Sequence, residues 1–188
     1  KRPSVTARGA VVYCRNTGEI VYSKNRDVKY SPYSITKLMT VLLAVQNLPL
    51  DKEITVSAEA AAQKEASMNL KEGEILTVRD LIYGAMLPSG NDAAYALAEA
   101  VSGSKEAFVK LMNKTAENIG CENTQFKNPH GMKEKGHYTT AYDMMLITKA
   151  ALSDDTVRKA AGAVSYTVKK TNKSKARKLK THISFLED

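Results

Sequence analysis

Ser31-Pro32-Tyr33-Ser34-Ile35-Thr36-Lys37-Leu38-Met39-Thr40 is the stretch on which the reading of the whole chain turns. Ser31-Pro32 reads as a helix start, with Ser31 as N-cap and Pro32 at the first helical position. Ile35, Leu38, Met39, Leu42 and Val45 then recur at helical spacing, so one apolar helix is expected to end before Pro49. In its first turn Ser34 and Lys37 stand three residues apart, which puts a hydroxyl and an amine on one face within reach of each other. An amine serves a hydroxyl as general base only after losing its own proton. The ordinary lysine pKa is about 10.4, so burial or nearby cations must lower it by several units. Ile35, Leu38 and Met39 supply apolar surroundings that do so.

Upstream, Ala10 to Cys14 and Ile20 to Ser23 are rich in Val, Ile and Tyr and flank Arg15-Asn16-Thr17-Gly18-Glu19, a hairpin signal. Downstream lies a run of helices. Thr77-Val78-Arg79-Asp80 is a capping-box variant ahead of Leu81, Ile82, Ala85 and Met86, and Pro88 stops that helix. An Ala-rich helix follows Ser89-Gly90-Asn91-Asp92, and Ser104 opens another that stops at Gly120. A loop carries Asn128-Pro129-His130-Gly131. Thr140 to Asp143 cap a further helix, Ser153 is placed to cap a shorter one, and Val164, Tyr166 and Val168 alternate as a strand does. No repeat, low-complexity tract or linker divides the chain.

The second chemical element is Ser89-Gly90-Asn91, a tight turn between two helices. Gly90 permits close backbone approach, and Ser89 and Asn91 bring polar groups to the same place. Alone, each element has an ordinary explanation: a solvated helix start for the first, a helix cap for the second. In this order they reinforce each other.

Composition narrows the function class. The 188 residues are 43% hydrophobic and 26% charged, which excludes disorder and collagen-like architecture. No window supplies the roughly 20 apolar residues of a membrane span. Lys1-Arg2-Pro3-Ser4 lacks the apolar core of a signal peptide, so the protein is either cytosolic or has lost an export signal before this numbering begins. Lys plus Arg number 28 against 20 Asp plus Glu, a net charge of +8. Such a surplus favours acidic partners, whether nucleic acid, anionic lipid or anionic wall polymer, although a well-solvated basic surface is its default explanation. The densest basic run, Lys169 to Lys180, has no interleaved aromatics and the chain has no Trp, so no nucleic-acid site is expected. Cys14 and Cys121 show no CxxC spacing, and His130, His137 and His182 form no ligand pair on a helix face. The cysteines read as buried or incidental thiols and the histidines as ordinary loop residues, with neither a metal nor a cofactor expected.

With Thr17 to Tyr22, Ser34 to Thr40, Leu87-Pro88-Ser89-Gly90-Asn91-Asp92-Ala93-Ala94 and Asn128-Pro129-His130-Gly131-Met132 in that order, the chain resembles the penicillin-binding D-alanyl-D-alanine carboxypeptidases over essentially its whole length. Their signature is Ser-x-x-Lys, then Ser-x-Asn, then Lys-Thr-Gly. The resemblance implies an α/β (α+β) fold of the β-lactamase/transpeptidase type, a helical block against an antiparallel sheet. It implies a hydrolase of peptidoglycan stem peptides ending in D-Ala-D-Ala, acylated by β-lactam antibiotics and exported to face the cell wall. Carried over residue by residue, it makes Ser34 the acylated nucleophile, Lys37 its base, Ser89 the group that passes a proton to the leaving amine, and Asn91 the holder of both Lys37 and a substrate amide. The backbone N–H of Ser34 would be one oxyanion donor.

The third motif departs from the pattern. Lys180-Thr181 is followed by His182 where the family has Gly, and the surrounding run reads as a basic loop. Gly matters there because substrate lies along the strand. The expectation is therefore that residues 1–188 are an incomplete peptidase domain, its N-terminal larger part, with the later strands outside this chain and the fragment by itself inactive. Peripheral membrane contact would come from parts not in this chain. A serine β-lactamase is the nearest alternative. Its Glu-x-x-Leu-Asn segment follows the second motif, whereas the only similar string, Glu65-Ala66-Ser67-Met68-Asn69, precedes Ser89. A non-catalytic penicillin-binding or wall-binding module is the alternative from another class, favoured by the missing third motif.

Overall fold

Helix α1 (Lys37–Asn47) is covered on all sides from Lys37 to Val45, with Met39 and Val41 through Ala44 no more than 2% exposed, and only Gln46 and Asn47 at its end are exposed. A helix without a polar face belongs in the middle of a bundle. Around it pack α3 (Val78–Met86), α4 (Asn91–Ser102), α5 (Lys105–Ile119), α6 (Ala141–Ala151) and α7 (Asp155–Ala161). The computed structural model describes residues 5–183. No helix among the described residues is long and apolar enough to cross a membrane.

The caps follow the sequence closely. Thr77 and Asp80 form a reciprocal capping box on α3, while Ser104 and Thr140 accept the N–H groups of Ala107 and Asp143. Helix α7 is capped by Asp154, whose carboxylate accepts from the N–H groups of Thr156 and Val157, rather than by Ser153, whose hydroxyl donates to the Ala150 carbonyl.

The start of α1 differs from expectation. Tyr33 takes a left-handed φ of +49°, and Tyr33–Thr36 form a 3-10 turn before the α-helix begins at Lys37. Ser31 is no N-cap, and its hydroxyl is buried without a partner among the described residues. The consequence is chemical. In a 3-10 turn residues i and i+3 eclipse, so Ser34 stands directly beside Lys37.

Among the described residues, strands occur in three separate antiparallel pairs rather than the three strands read from the sequence: β1 (Ala10–Cys14) with β2 (Glu19–Lys24), β3 (Glu53–Thr55) with β4 (Ile75–Thr77), and β5 (Ser165–Val168) with β6 (Arg177–Lys180). The β3 and β4 segments are three residues each, too short for alternation to register. The short helix α2 (Ala58–Ala61), capped by Ser57, was hidden for the same reason. The basic run expected to be loop contains β6. Leu179, 6% exposed, is its one apolar anchor, and pairing with β5 supplies what composition did not.

Candidate active site

The Lys37 ammonium donates to the Ser34 hydroxyl at 3.2 Å and to the His130 carbonyl at 2.8 Å. The lysine is 2% exposed, and burial lowers its pKa to about 8 against an opposing pull from the Asp92 carboxylate. Burial alone therefore moves Lys37 most of the way toward a working base.

The His130 carbonyl is aimed by the loop of residues 128–132, one of the stretches that carry the family resemblance but to which the sequence assigns no role in the site. Asn128 Oδ1 accepts the Gly131 N–H at 2.7 Å, and its amide nitrogen donates to the Met132 carbonyl and to Glu134. Thr40 on α1 donates its hydroxyl to the Pro129 carbonyl at 2.5 Å. His137 braces the turn from behind. Its Nδ1 accepts the Lys127 N–H, which leaves the proton on Nε2 to donate to Thr36 Oγ1 at 3.0 Å. Burial holds the pKa of both His130 and His137 down to about 4, so both rings are neutral at ordinary pH. These are buried site residues, not ordinary loop histidines. The signal that could have found them was their place beside Asn128-Pro129 and Thr139-Thr140. Among the described residues no group of three or more His, Cys, Asp or Glu is arranged to hold a metal ion.

Gly131 explains how closely this loop docks. It has φ +95°, and a Cβ there would lie 1.8 Å from the Tyr33 carbonyl oxygen. The loop thus rests directly on the turn that carries Ser34.

The second motif arrives from α4. Ser89 adopts φ +57°, and its hydroxyl is buried without a partner among the described residues. Two residues flanking the chemistry, Tyr33 and Ser89, hold strained backbone, as functional sites often do. Neither Ser89 nor Asn91 caps α4: the N-cap is Gly90, which makes no side-chain cap bond. Asn91 does not bond to Lys37. Its amide donates to the Lys64 carbonyl at 3.0 Å, and its N–H donates to the Ala66 carbonyl. Asp92 accepts from the Ser67 hydroxyl, from the N–H groups of Met68 and Leu70, and from that of Ala93. The second motif is thereby the peg on which residues 64–70 hang.

A cavity of about 280 Å³ opens where these parts meet, lined by Ser34, Asn91, Glu65, Ala66, Tyr33 and the His130–Lys133 loop. Ser34 and Asn91 face it, Lys37 lies behind Ser34, and Ser89 is not among the lining residues. A larger groove of about 770 Å³ between β1 and α6 holds none of Ser34, Lys37, Ser89 or Asn91. Cys121 is buried with its thiol pushed up to about 12, and Cys14 is a free, partly exposed thiol.

Residues 1–185 match the family model described as D-alanyl-D-alanine carboxypeptidase. The chain belongs to that family. Among its curated relatives, D-alanyl-D-alanine carboxypeptidase DacF of Bacillus subtilis is 42% identical over 161 residues, 83% of this chain and 41% of the relative. DacC of Escherichia coli is 39% identical over 163 residues, 81% of this chain and 41% of the relative. Among solved structures, a Streptomyces DD-transpeptidase superposes with TM-score 0.91 at 31% identity, covering 99% of this chain and 77% of that one. The carboxypeptidase DacD of Francisella tularensis superposes with TM-score 0.83 at 37% identity, covering 89% and 42%. These neighbours give this carboxypeptidase-family chain its fold class, helices with small antiparallel sheets as in the DD-peptidases. The chain spans about two-fifths of the length of the DacF and DacC relatives.

Proposed function

We propose that this protein acts as a serine D-alanyl-D-alanine carboxypeptidase on peptidoglycan stem peptides ending in D-Ala-D-Ala, that β-lactams acylate it at Ser34, and that it works outside the cytoplasm against the cell wall. The observation that carries the reading is the 3.2 Å contact from Lys37 Nζ to Ser34 Oγ, with the amine buried. As the Ser34 oxygen attacks the carbonyl of the penultimate D-Ala, its proton passes to Lys37. The tetrahedral oxyanion is met by the Ser34 backbone N–H, a donor typically worth about 3 kcal/mol. Collapse breaks the bond to the terminal D-Ala, whose amine takes a proton by way of the Ser89 hydroxyl. Water then releases the acyl group, so one hard amide hydrolysis becomes two easier acyl transfers. Asn91, facing the cavity, holds a substrate amide.

Residues 1–188 are read as the N-terminal larger part of the peptidase domain. They contain no Lys-Thr-Gly, the motif that the family resemblance expects to supply a second cation and the strand along which substrate lies. On their own they turn over far more slowly than a chain extended through that motif, because orientation and one oxyanion donor are lost together.

Labelling with a fluorescent penicillin tests the reading. Intact-mass spectrometry of the protein carried through a Lys-Thr-Gly motif should show one adduct, absent in Ser34→Ala. An adduct that persists in that variant overturns the assignment.

A further inference from the structure

The β5–β6 hairpin carries most of the protein's surplus charge. Between Lys169 and Lys180 stand six lysines and Arg177 with no Asp or Glu, a local charge of +7 in a chain of net +8. All six lysines are exposed, while Arg177 turns inward. None of the six has a carboxylate within ion-pair distance among the described residues.

The carboxylates that the hairpin does touch are occupied in anchoring it. Glu74, fully buried, pairs with Arg177 and accepts the Thr171 hydroxyl. Asp80 accepts the Tyr166 hydroxyl. The Asn172 side chain completes the attachment, accepting from the Ile75 N–H and donating to the Gly73 carbonyl. The lysines are therefore presented on a fixed platform, and a ligand need not order the backbone that bears them. Along β6, Lys178 and Lys180 share the outward face while Leu179 points in.

We propose that this hairpin is a docking surface for an extended, base-free phosphodiester polymer. Charge complementarity supplies the attraction, and the surroundings select among polyanions. Nucleic acid would look for aromatic faces on which to stack, but Tyr166 is already stacked on Tyr83 at 4.0 Å between centroids. An anionic bilayer would be gripped more firmly by apolar side chains entering it. Val168 and Leu179, the large apolar residues on the lysine-bearing part of the hairpin, are both buried, and the exposed Ala176 offers a bilayer only a methyl group. What remains is a cluster of exposed ammonium groups suited to repeated phosphates.

The test uses poly(glycerol phosphate) as the probe and fluorescence anisotropy as the readout. Binding should weaken about tenfold or more from about 50 to about 200 mM salt, as displacement of counterions from a polyanion requires. Lys169→Gln/Lys170→Gln/Lys178→Gln/Lys180→Gln should weaken it about tenfold or more at low salt while circular dichroism shows an unchanged fold. Lys52→Gln/Lys110→Gln/Lys135→Gln/Lys159→Gln, with the same change in net charge on other exposed lysines, should weaken it far less. Equal loss in the two variants, or no binding to the polymer at low salt, overturns the proposal. So does tighter binding to phosphatidylglycerol vesicles, or to oligothymidylate of equal charge, than to the polymer.

Discussion

Asp92 and Arg177 hold the same short segment from its two sides. Asp92, at the first turn of α4, accepts the N–H groups of Met68 and Leu70, while Arg177 on β6 donates to the carbonyls of Met68 and Asn69. That segment continues from Glu65 and Ala66, which line the cavity at Ser34. Arg177 is in turn held by Glu74, so a residue far along the chain fixes one wall of the cleft. Arg177→Met should therefore cost about 3–5 kcal/mol, since it leaves Glu74 as a buried, unpaired charge. Glu74→Gln/Arg177→Met should lose less than Arg177→Met alone in denaturant unfolding. Equal losses would show that the ion pair is not the anchor.

The acylation rate should report on Lys37. With the amine lowered to about 8 by burial, the neutral form needed to accept the serine proton grows as pH rises through that value. Penicillin acylation should fall about tenfold for each pH unit below the midpoint. Asp92→Asn removes the charge that opposes the shift, so its acid limb should move to lower pH. A purely structural role for Asp92 would lower stability and leave the midpoint in place. Lys37→Arg should abolish acylation with the fold intact, because a guanidinium keeps its proton.

His130 and His137 tie stability to pH. Burial depresses both to about 4, whereas the unfolded chain has histidines near 6.5. Between those values the unfolded state binds more protons, so stability falls as pH drops from about 6.5 toward 4 and is retained above that window. Thermal melting between pH 7 and 5 should show the decline, and His137→Gln should flatten it. A slope unchanged in that variant would assign the decline to other groups.

Much of this was legible because the informative residues act locally. Thr77 with Asp80, Ser104 and Thr140 cap helices whoever their distant neighbours are, and Ser34 and Lys37 meet through their spacing alone. What stayed hidden depends on distant partners. The β6 strand reads as a basic loop until β5 is beside it. His130 contributes a backbone carbonyl, which no side-chain pattern announces. Asn91, expected to hold Lys37, instead reaches the Lys64 carbonyl, and nothing near Ser89-Gly90-Asn91 in the sequence indicates that residues 64–70 hang from it.

Gly131→Ala is the sharpest test of how the site is assembled, because it touches no reacting group. Gly131 sits at φ +95°, a left-handed conformation costly for any residue with a Cβ, and a methyl there would overlap the Tyr33 carbonyl. The loop must lift from the 3-10 turn. Lifting it withdraws the His130 carbonyl from Lys37 and loosens the turn that aims Ser34, both of which the 2.8 Å contact depends on. A misplacement of about an ångström in the groups that position the nucleophile can cost about a hundredfold in rate. Penicillin labelling should therefore fall by about that factor at a temperature where circular dichroism shows the protein still folded. Thr40→Val, which removes only the hydroxyl that holds the Pro129 carbonyl, should give a smaller loss in the same direction. Normal labelling in Gly131→Ala would mean that Lys37 keeps its place without the loop.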